Sequence, residues 1–320
     1  FPFPYREGQK ELVSQVYRTI YHRKKIFIEA PTGVGKTVST VFPAVKAVGE
    51  GLGDKIFYLT AKTVTRIVAR ECFDILREQG LRYKTVVLTA KDKMCVCEET
   101  DCNPEYCPRA KGHYDRINDA IFALMQEDSF TREIIEEYAE NYMVCPFEMC
   151  LDMSLFADAV ICDYNYVFDP NVYLRRFFAD GIQGNYLFLI DEAHNLVDRA
   201  IEMYSAALYK EDFLEVKRSV KQYSKKLEKS LEACNKYLLM LKRDCAEMKV
   251  LESISPFVTA LVRVMGQMEK FMEDEEKSDI RQGVFELYLM VRHFLNMYDR
   301  FGNDYVAYCE YEEDGRYLDC

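Results

Sequence analysis

Glu29-Ala30-Pro31-Thr32-Gly33-Val34-Gly35-Lys36-Thr37 follows the apolar run Ile26-Phe27-Ile28 and precedes a segment that can be helical. A strand, a glycine-bearing loop and a helix in that order make a phosphate cradle. The glycines let the loop wrap with its N–H groups inward, and the helix adds its positive end to the same site. Lys36 is then placed to meet the β- and γ-phosphates and Thr37 to hold Mg2+. Ala30 stands where the commonest form of the motif has its first glycine, so the pattern is A-x-x-G-x-G-K-T.

A second motif supports the first. Tyr186-Leu187-Phe188-Leu189-Ile190 runs into Asp191-Glu192-Ala193-His194. A continuous apolar run reads as a buried parallel strand, and carboxylates at its C-terminal end sit where open α/β sheets bind ligands. Asp191 is expected to hold Mg2+ and Glu192 to polarise the water that attacks the γ-phosphate. The pair predicts ATP hydrolysis, with Lys36, Asp191 and Glu192 as the catalytic set.

Working outward, Lys10 to Tyr21 reads as a helix before the loop, and Gln9 offers the adjacent donor and acceptor that match the edge of adenine. Asp54 to Thr60, Lys84 to Thr89, Ala159 to Asp163 and the Asp191 run read as strands, with a helix from Val64 to about Gln79 between the first two. Strands alternating with helices predict an open parallel α/β sheet. The run Tyr164 to Pro170 is expected to continue the sheet. Thr60, Lys62 and Thr63 then fall at a strand's C-terminal edge, where they can meet the phosphates of a nucleic-acid strand.

The pattern breaks at Lys91. From there to Cys150 come six cysteines and a helical stretch, Tyr114 to Met125, which reads as an insertion in the sheet. The best four-thiol set is Cys95, Cys102, Cys107 and Cys145, with Cys97 and Cys150 in reserve. Both zinc and an iron–sulfur cluster accept four thiolates, and spacing does not choose between them. Lys91, Lys93, Arg109, Lys111 and Arg116 surround the set and are expected to face a DNA backbone. Residues 207–320 read as helices, for example Phe213 to Lys242, Pro256 to Glu273 and Val284 to Arg300, with their methionines as packing.

The chain has 320 residues, 49% of them hydrophobic, and a formal charge of −11. That excludes a uniformly basic surface, but residues 1–100 are net positive and leave room for a DNA track. No apolar run of membrane-spanning length and no signal segment is present, so the expected location is cytoplasmic. The first residues, Phe1-Pro2-Phe3-Pro4, suggest a segment of a longer protein.

Gln9, A-P-T-G-V-G-K-T, Y-L-T-A-K-T, the cysteine insertion ending Val144-Cys145-Pro146-Phe147-Glu148, I-C-D-Y-N-Y-V-F-D-P and D-E-A-H-N-L together resemble the XPD/DinG family of superfamily 2 iron–sulfur DNA helicases. The resemblance implies a RecA-like motor domain at residues 1–90 and 151–206, a [4Fe–4S] cluster domain at 91–150 and a helical Arch-like domain at 207–320. It also implies ATP-driven 5′→3′ translocation on single-stranded DNA, with separation of strands at forks, in a DNA-repair setting and as a monomer. The ATP-contacting set expected on these motifs is Gln9, Thr32, Gly33, Val34, Gly35, Lys36, Thr37 and His194. The family's second motor domain has no counterpart in this sequence, which is expected to leave it a weak ATPase alone. The competing expectations are a D-E-A-H type RNA helicase and a nucleotide-gated docking platform with a structural zinc site.

Overall fold

A computed structural model describes residues 1–31, 33–97, 102–273 and 278–310, without the side chains of 278 and 279. The chain divides into two compact units, Phe1–Val197 and Asp198–Cys320. In the first, the elements run α1 (Gln9–Tyr21), α2 (Lys36–Gly49), β1 (Lys55–Leu59), α3 (Thr63–Glu78), β2 (Thr85–Val87) and α4 (Lys91–Met94). They continue as α5 (His113–Leu124), β3 (Ser129–Phe130), α6 (Arg132–Asn141), α7 (Pro146–Phe156), β4 (Ala159–Cys162), α8 (Asn165–Phe168), α9 (Arg175–Phe178) and β5 (Tyr186–Ile190). A short 3-10 turn, Ala193–Asn195, leads into α10 (Leu196–Met203), which bridges into the second unit.

The five strands form one sheet in the order β3-β2-β4-β1-β5, and every pairing is parallel. The α/β class and the open parallel sheet are therefore as expected. Side chains alternate across β1, so Ile56 and Tyr58 join Val41, Val45, Phe73 and Leu76 of α2 and α3 on one face. Phe57 points to the other face, where its ring lies 5.2 Å from Phe177 and 5.6 Å from Phe188. Ser129–Phe130, inside the cysteine-bearing stretch, adds an edge strand beside β2, so that stretch is threaded through the sheet as well as hung from it.

Two expected strands take other forms. Ile26-Phe27-Ile28 has no regular secondary structure, and Phe27 is 90% exposed. A strand needs a neighbour for its N–H and C=O groups; the sheet stops at β5, and the run is not registered on that edge. Tyr164 to Pro170 does not continue β4 but turns into α8. The Asp163 carboxylate accepts from the Asn165 N–H at 3.1 Å, a local side-chain bond that bends the chain out of the sheet.

Lys55 opens β1 and is buried against the far end of α7. Its ammonium donates to the carbonyls of Ser154 at 3.0 Å, Leu155 at 3.3 Å and Ala157, capping the last turn of that helix. Burial lowers its pKa to about 8. The unfolded chain keeps this proton to about pH 10.5, the folded chain only to about pH 8, so stability rises with pH between those values, by at most about 3 kcal/mol. Urea titrations at pH 8 and pH 10 should show at most about 2 kcal/mol of that increment in the parent and a smaller one in Lys55→Met.

The second unit holds α11 (Lys210–Val220), α12 (Lys225–Asp244), α13 (Ser255–Met272) and α14 (Ser278–Tyr298), with a two-stranded antiparallel pair, β6 (Met248–Val250) and β7 (Tyr308–Glu310). Its core is built from Phe213, Leu231, Leu238, Phe257, Leu261, Val264, Val291 and Phe294. The single helix expected from Phe213 to Lys242 is two. Ser224 starts the second by accepting from the Leu227 N–H at 3.3 Å, and a serine at that position is a start signal inside an otherwise unbroken apolar period. The β6–β7 pair was not foreseen: Met248–Val250 is three exposed residues with no alternation to read.

Candidate nucleotide and thiol sites

The carboxyl ends of β1 and β5 and the start of α2 meet around the loop before Lys36. Gly33 and Gly35 hold φ of 86° and 75°, the left-handed region that admits glycine most readily. At Gly35 a Cβ would also lie 2.7 Å from the Gln9 Nε2, so a side chain there would displace the Gln9 amide from the loop. Gln9 is buried, donates to the Val34 carbonyl at 3.2 Å and accepts from the Arg6 N–H at 3.0 Å. The Arg6 guanidinium donates to the Gly33 carbonyl. Lys36 donates to the Ala30 carbonyl at 3.0 Å. Three side chains thus hold the loop by its own carbonyls. Thr32 lies outside the described residues.

Asp191 follows β5, and its N–H donates to the Leu59 carbonyl at 2.9 Å, which fixes it beside the end of β1. Burial and the neighbouring Glu192 carboxylate raise the Asp191 pKa, while the Lys36 and Lys62 ammonium groups act to lower it. Glu192 has φ 50°, left-handed for a residue with a side chain, and is followed by the 3-10 turn. Its carbonyl accepts from the Tyr164 hydroxyl at 3.3 Å and from the Asn195 amide at 3.2 Å, and Tyr164 also donates to the Asp191 carbonyl. The exposed His194 ring lies 3.5 Å from the Glu192 carboxylate through Nδ1. Tyr58, on β1, hydrogen-bonds the Thr37 side chain and faces Asp191, a neighbour that acts with burial to raise its pKa.

The structure therefore brings Gln9, Gly33, Val34, Gly35, Lys36, Thr37, Asp191 and Glu192 to one end of the sheet. Sequence reasoning gave no role to Arg6, Tyr58 and Tyr164. Tyr164 was in view, in Cys162-Asp163-Tyr164-Asn165, but nothing in sequence shows that its hydroxyl reaches across to β5. Of the expected DNA contacts, Lys62 and Thr63 are exposed at the start of α3, and Lys62 is near enough to act on Asp191. Thr60 is 1% exposed with its hydroxyl on Thr65, so it braces the strand end from inside.

The cysteines approach one another in two groups. The Cys97 and Cys107 sulfurs are 3.9 Å apart, and the Cys95 thiol points at the Cys97 carbonyl at 4.0 Å. Cys102 is hydrogen-bonded to Lys91, and it is also a neighbour of Cys145, whose pKa burial raises. Cys150 turns away: it is 1% exposed, its thiol faces the Val87 carbonyl at 3.5 Å, and burial pushes its pKa up to about 12. Among the described residues no group of three or more His, Cys, Asp or Glu side chains is set to hold a metal ion. The donors suit a thiolate-bound group in kind, being soft and all sulfur, but they stand as neighbouring clusters and not as one closed set. Arg109, expected to face a DNA backbone, is 8% exposed and points inward.

The DEAD_2 family matches residues 76–213. The chain is 22% identical over 243 residues to the XPD helicase subunit of general transcription and DNA repair factor IIH from Arabidopsis thaliana, covering 64% of this chain and 32% of that protein. It is 23% identical over 241 residues to the regulator of telomere elongation helicase 1 homolog of Caenorhabditis elegans, covering 61% of this chain and 24% of that protein. It thus spans a third or less of the length of these curated relatives. In fold it is similar to a solved XPD helicase, with a TM-score of 0.59 at 15% identity over 95% of this chain and 52% of that one. A truncated XPD gives 0.59 at 16% identity over 92% of this chain and 82% of that one. The five-stranded parallel sheet is RecA-like. No helix among the described residues is long and apolar enough to cross a membrane.

Proposed function

We propose, for a chain that is XPD/DinG-like and of helicase superfamily 2, that it is the first motor half of an ATP-dependent 5′→3′ DNA helicase acting on single-stranded DNA and forks. The reading rests above all on one observation: Lys36, Thr37, Asp191 and Glu192 converge at the carboxyl ends of parallel strands, with the cysteine-bearing stretch inserted in the chain between β2 and β4. Residues 1–90 and 151–206 act as the motor domain, 91–150 as the cluster domain and 207–320 as the Arch-like domain. On nucleotide entry Lys36 leaves the Ala30 carbonyl for the β- and γ-phosphates, while the N–H groups of Gly33, Val34 and Gly35 face the same oxygens. Gln9 selects adenine by releasing the Val34 carbonyl and the Arg6 N–H, which its amide holds in this structure, and Glu192 takes the proton of the attacking water. Magnesium, held by Thr37 and Asp191, supplies charge neutralisation at the phosphates when bound. A monomeric chain in the cytoplasm, completed by a cationic side chain from a second motor domain, gains about 10³-fold or more in turnover over this chain alone.

Cys95, Cys102, Cys107 and Cys145 would hold a [4Fe–4S] cluster, which supplies a fourfold thiolate cross-link within 91–150. Lys62 and Thr63 hold the DNA backbone. Protein purified without oxygen should carry about four irons and four sulfides with broad absorbance near 400 nm. One zinc and no colour would overturn the cluster. Cys102→Ser should lose the iron and weaken binding to single-stranded DNA while nucleotide affinity stays unchanged. Unwinding of a fork with a 5′ tail but not of one with a 3′ tail would establish polarity.

A further inference from the structure

The turn that carries Cys145 is held by side chains from the segment that follows Cys107. Helix α6 ends at Asn141 in a left-handed cap: Met143 takes φ 51°, and the Val144 N–H closes the helix on the Ala139 carbonyl at 3.0 Å. Three further backbone groups of the turn each meet a side chain. The Met143 carbonyl accepts from Arg116 Nε at 3.2 Å and Nη2 at 2.7 Å. The Val144 carbonyl accepts from Arg109 Nη1 at 3.1 Å, and the Cys145 N–H donates to His113 Nδ1 at 3.3 Å.

Arg109 does more. The same Nη1 reaches the Ala139 carbonyl at 2.8 Å, and Nη2 pairs with the Glu140 carboxylate, so one buried guanidinium ties the Cys107 turn to the end of α6. His113 is 5% exposed. Gly112 lets Arg116 fold back: it has φ 68°, and a Cβ there would lie 2.7 Å from Arg116 Nη1. Three polar side chains, each at a different step of the same turn, are more than the packing of α5 against α6 and α7 requires. Those helices already bury Ile117, Leu124, Ile135 and Met149.

We infer that Arg109, His113 and Arg116 are positioning residues for the Cys145 ligand: they hold its turn in one conformation before any metal is present. This rests on the cluster reading above. Metal-free protein then keeps that turn ordered, and loading has to bring the other thiols to it; small metal domains that fold only with their ion behave differently. Arg109→Lys keeps the charge but loses the planar fork that serves two carbonyls and a carboxylate at once.

The test uses the whole chain, stripped of metal and then offered ferrous iron and sulfide without oxygen. The parent should regain absorbance near 400 nm. Arg109→Ala should load at least about tenfold more slowly, as removal of groups that orient a metal ligand does, with Arg109→Lys between the two. Arg132→Ala, which removes only the surface pair with Glu136, should load like the parent. The metal-free parent should also protect the Cys145 amide from hydrogen exchange, and His113→Ala should expose it, with far-ultraviolet circular dichroism and nucleotide binding unchanged in both variants.

Parent-like loading of Arg109→Ala, or an unprotected Cys145 amide in the metal-free parent, overturns the inference and leaves the cluster reading standing. A parent that takes up no iron overturns the cluster reading instead. Loss of helicity or nucleotide binding in Arg109→Ala also overturns the inference, because the residue would then serve the fold at large.

Discussion

Lys36→Ala should lower the affinity of the chain for ATP about 100-fold, near 3 kcal/mol, because a charge-assisted contact to phosphate is lost. In the ligand-free state Lys36 spends its ammonium on one loop carbonyl, Ala30, and its removal leaves the apolar packing of α2 untouched. The expected result is therefore a binding defect without a stability defect. Titration of a fluorescent ATP analogue, paired with a thermal melt, reads both. A fall of several degrees in Tm together with the lost binding would mean that Lys36 serves the fold as well as the site.

The second large effect belongs to Glu192. Its carboxylate stands at the end of β5, next to Asp191, on a backbone pinned through its carbonyl by Tyr164 and Asn195. Glu192→Gln keeps the shape and the hydrogen-bonding reach but cannot accept a proton, so nucleotide binding should survive while hydrolysis falls by about 10²–10⁴-fold. Single-turnover measurements beside nucleotide titrations separate the two quantities. Equal loss of binding and turnover would move Glu192 from the water to the metal.

The catalytic ends of the sheet were legible because the phosphate loop and the D-E-A-H strand end spell their chemistry locally. Glycines at Gly33 and Gly35, a lysine at the helix start and two carboxylates after an apolar run each have a short-range physical reason. What the sequence hid were contacts between distant segments. Arg109 reads as one more surface cation, yet Ala139, Glu140 and Val144 take it inside. Lys55 reads as a strand-end cation, yet it caps α7 about a hundred positions on. Ile26-Phe27-Ile28 shows the reverse error: its apolar content is what a strand needs, but a strand also needs a registered neighbour, and composition does not supply one. The cysteines were located correctly as a cluster in sequence, whereas which thiols meet, Cys97 with Cys107 and Cys102 near Cys145, depends on turns that spacing does not encode.

The left-handed backbone at Glu192 sets durability against turnover at a single position. A side chain at φ 50° costs the fold about 1 kcal/mol that glycine would not, and the residue that carries that cost is the one proposed to act on water. Selection for heat resistance alone would drift this position toward glycine and yield a sturdier protein without the proposed base. A directed-evolution screen on this chain has to test nucleotide hydrolysis beside stability at every round, because robustness gained at this position removes the proposed base.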